Sequence, residues 1–188
     1  MSIITNSYSN VASSFFGAKF QNFIEEIMVS PTSHHIILLG YITGGISRGL
    51  LVGALVTLVS LFFTQVSIYN IYILLSIAVL TAVLFSLAGL LNGLYAKSFD
   101  DITIVPTFVL TPLTYLGGIF YSINLLPEIW QKISLINPIF YMINAFRYGF
   151  LGISDISPGI SLTIIIGFIV FLGTWANHLI GKGYGIRT

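Results

Sequence analysis

Along the chain, long apolar runs are separated by short clusters that hold most of the charge. A membrane-spanning helix needs about 20 mostly apolar residues, and four runs reach that length: 36–63, 68–95, 102–123 and 160–180. Within them the apolar positions are continuous, as in helices packed in lipid; the strands of a β-barrel would alternate. The first run is longer than a perpendicular span requires and carries Arg48 inside Gly44-Gly45-Ile46-Ser47-Arg48-Gly49. The second is uncharged and ends in water at Lys97, Asp100 and Asp101. The third contains Pro106 and Pro112, each of which removes a helix hydrogen bond, so it is expected to bend. The fourth starts after Ser157-Pro158-Gly159 and stops at Gly181-Lys182-Gly183, a start and a stop signal.

Between the third and fourth runs, 124–155 is too apolar for a solvated loop and too interrupted to cross. It reads as two short helices, 127–136 and 138–151, each opened by proline. The expectation is a re-entrant helical hairpin. The alternative lays the second piece flat on the interface, with Tyr141, Phe146 and Tyr148 as belt aromatics. At the other end of the chain, 1–16 is apolar but rich in Ser and Asn, and looks like half of a helix, as if the chain began inside a longer membrane domain. Next, Phe20, Phe23, Ile24 and Ile27 recur at helical spacing, with Lys19, Gln21, Asn22, Glu25 and Glu26 on other faces and Ser30-Pro31 as the stop. This predicts a short amphipathic helix over 20–31. A helix resting on lipid would favour Lys and Arg on its polar face, so Glu25 and Glu26 point to a protein partner.

Composition agrees with an all-α polytopic membrane bundle. The 188 residues are 56% hydrophobic and 7% charged, against about 25% charged in a soluble domain. A net charge of +1 gives no basic patch for nucleic acid. With no cysteine, disulfides and cysteine-based redox or zinc chemistry are excluded. The start lacks the basic region of a cleavable signal. If the helices alternate, Lys19, Lys97, Lys182 and Arg187 share one side and Lys132 and Arg147 the other, which makes the first side cytoplasmic and 123–158 external.

Candidate chemistry is sparse. Arg48 has two open readings, snorkelling to cytoplasmic phosphates or facing a polar pathway inside the subunit. Asp100-Asp101 reads as a solvated turn before a catalytic pair, and His34-His35 lacks the further ligands a metal needs. The pairs Gly44-Gly45 and Gly117-Gly118 read as packing positions, with gating flexibility as the other option. Tyr115, Phe120, Tyr121, Trp130, Phe140 and Tyr141 read as interface aromatics ahead of an exit path.

Three blocks carry a resemblance: 23–31 leading into Leu39-Gly40-Tyr41, then 110–121, then 136–141 with Arg147-Tyr148-Gly149. In this order, across nearly the whole chain, they resemble the membrane subunits of ABC-2 type export permeases. That resemblance implies six transmembrane helices, a coupling helix between the second and third, and paired re-entrant helices between the fifth and sixth. The chain matches from the end of the second helix onward, without the first helix and the front of the second. The resemblance implies a homodimer of permease subunits in the lipid bilayer of a bacterial inner membrane, exporting a drug-like, glycan or lipid-linked substrate. ATP and Mg would sit on a separate cytoplasmic ABC ATPase, since no Gly-Lys-Ser/Thr of a phosphate-binding loop occurs here. Phe20, Phe23, Ile24, Glu25, Glu26 and Ile27 would contact that ATPase; Arg48, Pro112, Tyr115, Gly117 and Gly118 are the candidates for pathway or gating. No catalytic or metal-binding residue and no nucleic-acid partner is implied. The alternatives are a non-transporting structural or regulatory subunit derived from a permease and, third, a membrane enzyme.

Overall fold

The computed structural model describes residues 1–24, 26, 32–64, 68–119 and 127–185. Among them regular structure is entirely helical: α1 (Ser2–Phe20), α2 (His34–Leu61), α3 (Ile71–Tyr95), α4 (Phe99–Val105), a π-helical turn (Pro106–Leu110), α5 (Thr111–Leu116), α6 (Glu128–Ile136), α7 (Pro138–Leu151) and α8 (Pro158–Gly181). By length and composition α2, α3 and α8 can each cross a membrane.

The centre of the bundle is α3, which packs against α1, α2, α7 and α8. It is uncharged, and Ile77, Ala82, Leu87 and Leu90 along it are buried. Lipid tails are as apolar as Leu, so helices in a membrane associate through close packing, which small residues permit. The contact of α1 with α3 is built this way. A methyl group on Gly89 would strike the Tyr8 carbonyl oxygen, and one on Gly93 would meet Ala12 and Phe15. On α2, Gly45, Gly49 and Gly53 present one bare face to α1, against Val11, Ser7 and Ile3. The Ser- and Asn-rich beginning of the chain, expected as half of a helix, is therefore a continuous helix with Tyr8, Val11, Ala12 and Phe15 buried.

The expected third span, 102–123, is assembled from short pieces over 99–116, and 120–126 lie outside the described residues. The bend expected from its prolines takes the form of a widened turn. Pro106 supplies no N–H to the Ile102 carbonyl, and the Asn92 side-chain amide from α3 approaches the carbonyls of Asp101 and Ile102 at 3.5 and 3.4 Å. Thr111 returns both its N–H and its Oγ1 to the Pro106 carbonyl, five residues back.

Helices α6 and α7 occupy the two stretches expected for the hairpin, with Asn137 closing one and capping the other. Gly149, near the end of α7, packs on Leu74 near the start of α3, whereas Ile139 and Phe140 share a core cluster with Leu84 and Phe85. So α7 runs antiparallel to α3, and the Asn137-Pro138 turn is sunk below Leu74 by roughly 15 Å at about 1.5 Å per residue. The antiparallel packing of α7 along α3 is the arrangement a re-entrant hairpin requires, whereas a helix flat on the interface would lie across α3.

Candidate functional site

One end of the bundle gathers three of the four lysines, Lys19, Lys97 and Lys182. The Lys19 ammonium donates to the carbonyls of Leu94 at 3.2 Å and Ala96 at 2.9 Å, a cation on the unsatisfied carbonyl end of α3. Lys97 follows directly, and Gly181, beside Lys182, lies against His34. Phe16, Phe20 and Phe99 close over the same end, with ring centroids 4.9 Å apart for Phe16–Phe99 and 5.4 Å for Phe20–Phe99. Arg187, expected here too, lies outside the described residues.

The segment after α1 emerges from this end. Phe20 is the last residue of α1 and not part of a separate helix over 20–31, because Asn22 adopts φ 60° and breaks the chain between them. Asn tolerates that left-handed conformation and commonly ends helices. Phe23, Ile24 and Glu26 are helical, while Glu25 and Ile27–Pro31 lie outside the described residues. Ile24 is buried in a core cluster with Val11 and Phe15 of α1, Ile42 of α2, Leu90 and Leu94 of α3 and Ile180 of α8. Phe20 and Phe23 are 67% and 52% exposed, and Glu26 is exposed. One residue is anchored in four helices and its neighbours face outward.

Asp100 and Asp101 begin α4. The Ser98 hydroxyl accepts from the Asp101 N–H at 3.3 Å, and the Asp101 carboxylate accepts from the N–H groups of Lys97 at 2.8 Å and Ser98 at 3.0 Å. This is a capping box, legible in Ser98-Phe99-Asp100-Asp101 as Ser followed three residues later by an acid. The Lys97 and Ser98 N–H groups hold the Asp101 carboxyl below its ordinary 3.8.

The five candidate pathway residues fall into two places. Arg48, midway along α2, is exposed and donates to the Asn10 side-chain carbonyl on α1 at 3.2 Å. The others lie at α5: Pro112 and Tyr115 on its exposed side, Gly117 and Gly118 buried. A methyl group on Gly117 would lie 2.8 Å from Ile143, so Gly117 is a packing position against α7, and Gly118 turns the chain with φ 79°. Phe120 and Tyr121 lie outside the described residues.

Polar side chains bind α5 to the hairpin. Ser134 donates to the Leu116 carbonyl at 2.9 Å, the Asn137 amide to the Leu113 carbonyl at 2.6 Å, and Arg147 to the Gly118 carbonyl at 2.7 Å. Arg147 also pairs with Asp155 at 3.1 Å, whose N–H is held by the buried Asn144 at 2.9 Å. Of these, only the role of Arg147 as a marker of the opposite side was legible in sequence; isolated Asn and Ser inside apolar stretches were the available signal for the rest. An apolar cleft of about 320 Å³ opens beside the hairpin, between Ile3, Val56 and Thr81 on one side and Met142, Ile143 and Phe146 on the other.

A family model described as ABC-2 type transporter matches residues 1–151. Among curated proteins, "Inner membrane transport permease YadH" of Escherichia coli strain K12 is 58% identical over 190 aligned positions, covering 100% of this chain and 73% of that protein. "Nodulation protein J" of Sinorhizobium fredii is 23% identical over 145 positions, 77% of this chain and 55% of that protein. The protein of the same name from Rhizobium meliloti is 22% identical over 172 positions, 90% of this chain and 66% of that protein. No solved structure gives a significant match.

Proposed function

We propose, on the premise that this chain belongs to the ABC-2 type transporter family as a permease subunit, that it works in the bacterial inner membrane as half of an ATP-driven exporter. A separate cytoplasmic ATPase carries ATP and Mg, and two permease subunits enclose the route of a drug-like, glycan or lipid-linked cargo. The lysine-rich end is the cytoplasmic one, as the distribution of Lys and Arg favours.

The observation that carries this reading is the split of the segment after α1. Ile24 is seated in a cluster shared by α1, α2, α3 and α8, while Phe20, Phe23 and Glu26 face outward. A partner pressing on the outward side chains moves Ile24, and through it four helices. Thermodynamically, ATP binding switches the permease only if the ATPase contact differs in free energy between two arrangements of the bundle. Lys19 supports such transmission, since it ties the end of α1 to the end of α3.

The test is co-purification of a tagged chain with an ABC ATPase from its native membrane. Phe23→Asp together with Glu26→Lys is expected to lower ATPase recovery at least tenfold while membrane insertion stays intact. Equal recovery with wild type and variant would remove this segment from the interface, and no ATPase with either would refute the exporter reading.

A further inference from the structure

At about 1.5 Å per residue, Arg48 lies roughly 21 Å along α2 from His34, near the middle of a 28-residue helix, while the hydrocarbon is about 30 Å thick. Snorkelling covers only part of that distance. The 28-residue helix is about 42 Å long and so extends beyond the hydrocarbon, and Arg48 is a cation on the exposed face of this membrane-crossing helix. Arg carries five N–H donors, of which one reaches Asn10 Oδ1 at 3.2 Å. No carboxylate among the described residues pairs with it.

Its surroundings are polar. Ser9 and Ser13 of α1 and Thr43 and Ser47 of α2 are exposed beside Asn10 and Arg48. The hydroxyls of Ser13, Thr43 and Ser47 donate to carbonyls of their own helices at 2.6, 2.9 and 2.8 Å, which leaves their oxygens as acceptors and satisfies them without a partner. Arg48 has no such internal solution. A second copy of this chain does not provide one either, since its acidic residues are Glu25, Glu26, Asp100, Asp101, Glu128 and Asp155, all outside the spanning helices.

We propose that Arg48, oriented by Asn10, is a membrane-embedded site for the negatively charged headgroup of an amphiphile, a phosphate or carboxylate attached to an apolar tail. The inference rests on the permease reading for its purpose, namely recognition of acidic cargo, but not for its chemistry. Asn10 accepts one guanidinium N–H and Arg48 is exposed, which leaves its other donors for two oxygens of one headgroup.

The experiment is direct binding of radiolabelled dodecyl phosphate and of neutral dodecyl maltoside to the purified chain, with its ATPase where one accompanies it, in phosphatidylcholine nanodiscs. Wild type is expected to bind the phosphate at least tenfold more tightly than the maltoside. Arg48→Gln should erase that preference and leave maltoside binding unchanged, Arg48→Lys should retain most of it, and Asn10→Leu should weaken phosphate binding several-fold. A wild type without preference, an Arg48→Gln chain that keeps it, or equal losses for both probes overturns the proposal. Asn10→Leu supplies the test if Arg48→Gln fails to assemble, because unchanged phosphate affinity in that variant equally overturns it. Adding phosphatidylglycerol separates the sources: displacement of the probe assigns the site to an anionic bilayer lipid, and its retention to a diffusible acidic amphiphile. Absence of an ATPase would refute the exporter reading without touching this binding result.

Discussion

Asp101 accepts two backbone N–H groups at the first turn of α4, and its carboxylate form is the one those donors favour. Because its carboxyl is held below 3.8 in the folded protein, the contribution of this cap is complete above the unfolded value and is lost as pH falls through the lower, folded one. Asp101→Asn in the neighbouring turn should therefore remove a pH dependence confined to the region below about pH 4. Hydrogen exchange of the Lys97 and Ser98 amides is the readout, and equal exchange profiles in both chains would sink the claim. Asn137 is a different kind of residue, 3% exposed and bonded through both ends of its amide, to the Leu113 carbonyl and to the Ile139 N–H. Asn137→Ala leaves the Leu113 carbonyl with the Gly117 N–H as its donor and takes from α7 its cap, a loss of about 1–3 kcal/mol. Thermal unfolding in detergent is expected to show it, and an unshifted midpoint would mean that water replaces the amide. Both residues stood in the sequence as polar punctuation; what each bonds depended on neighbours far along the chain.

At the scale of elements, continuous apolar runs announced α2, α3 and α8 to within a few residues, since a span in lipid needs little beyond length and hydrophobicity. Paired Pro starts likewise announced α6 and α7. Helix α1 was harder to read because its Ser and Asn residues lower its hydrophobicity, although Ser7, Tyr8, Val11, Ala12 and Phe15 form a buried face. The complementary signal was present on α2, where Gly45, Gly49 and Gly53 recur every four residues as a surface for close helix approach. Gly89 of α3 makes the sharper case, because what a methyl group would strike there is the backbone of Tyr8. Gly89→Ala should cost about 1–3 kcal/mol by overpacking and loosen α1 first, seen as faster proteolysis of the segment that follows it. Gly167→Ala on α8, with nothing within 4 Å, should leave stability unchanged or raise it slightly. Equal effects of the two substitutions would mean that α1 is not held by the glycine contact.

For the molecule as a whole, the question is how a chain with so few charges keeps two chemically different ends. At one end Lys19 binds the carbonyl terminus of α3, with Lys97 directly after that helix; at the other, Arg147 with Asp155 ties the hairpin to the turn after α5. Between them the hairpin turn reaches inward, held by Asn137 to Leu113, so a movement of α5 carries the hairpin with it. The buried depth of this turn separates a re-entrant hairpin from helices lying on the surface. The chain has no cysteine, so single cysteines report position without background. Cysteines at Thr64 and Ser154 should react with an impermeant maleimide added outside, and those at Ser33 and Ser98 only after the membrane is opened. Ile136, 77% exposed on the protein surface beside the turn, is the deciding position. There a cysteine should resist the reagent from both sides, because that surface faces lipid. Reaction at Ile136 as fast as at Ser154 would put the turn at the water interface, and the hairpin would then be unable to follow α5 inside the membrane.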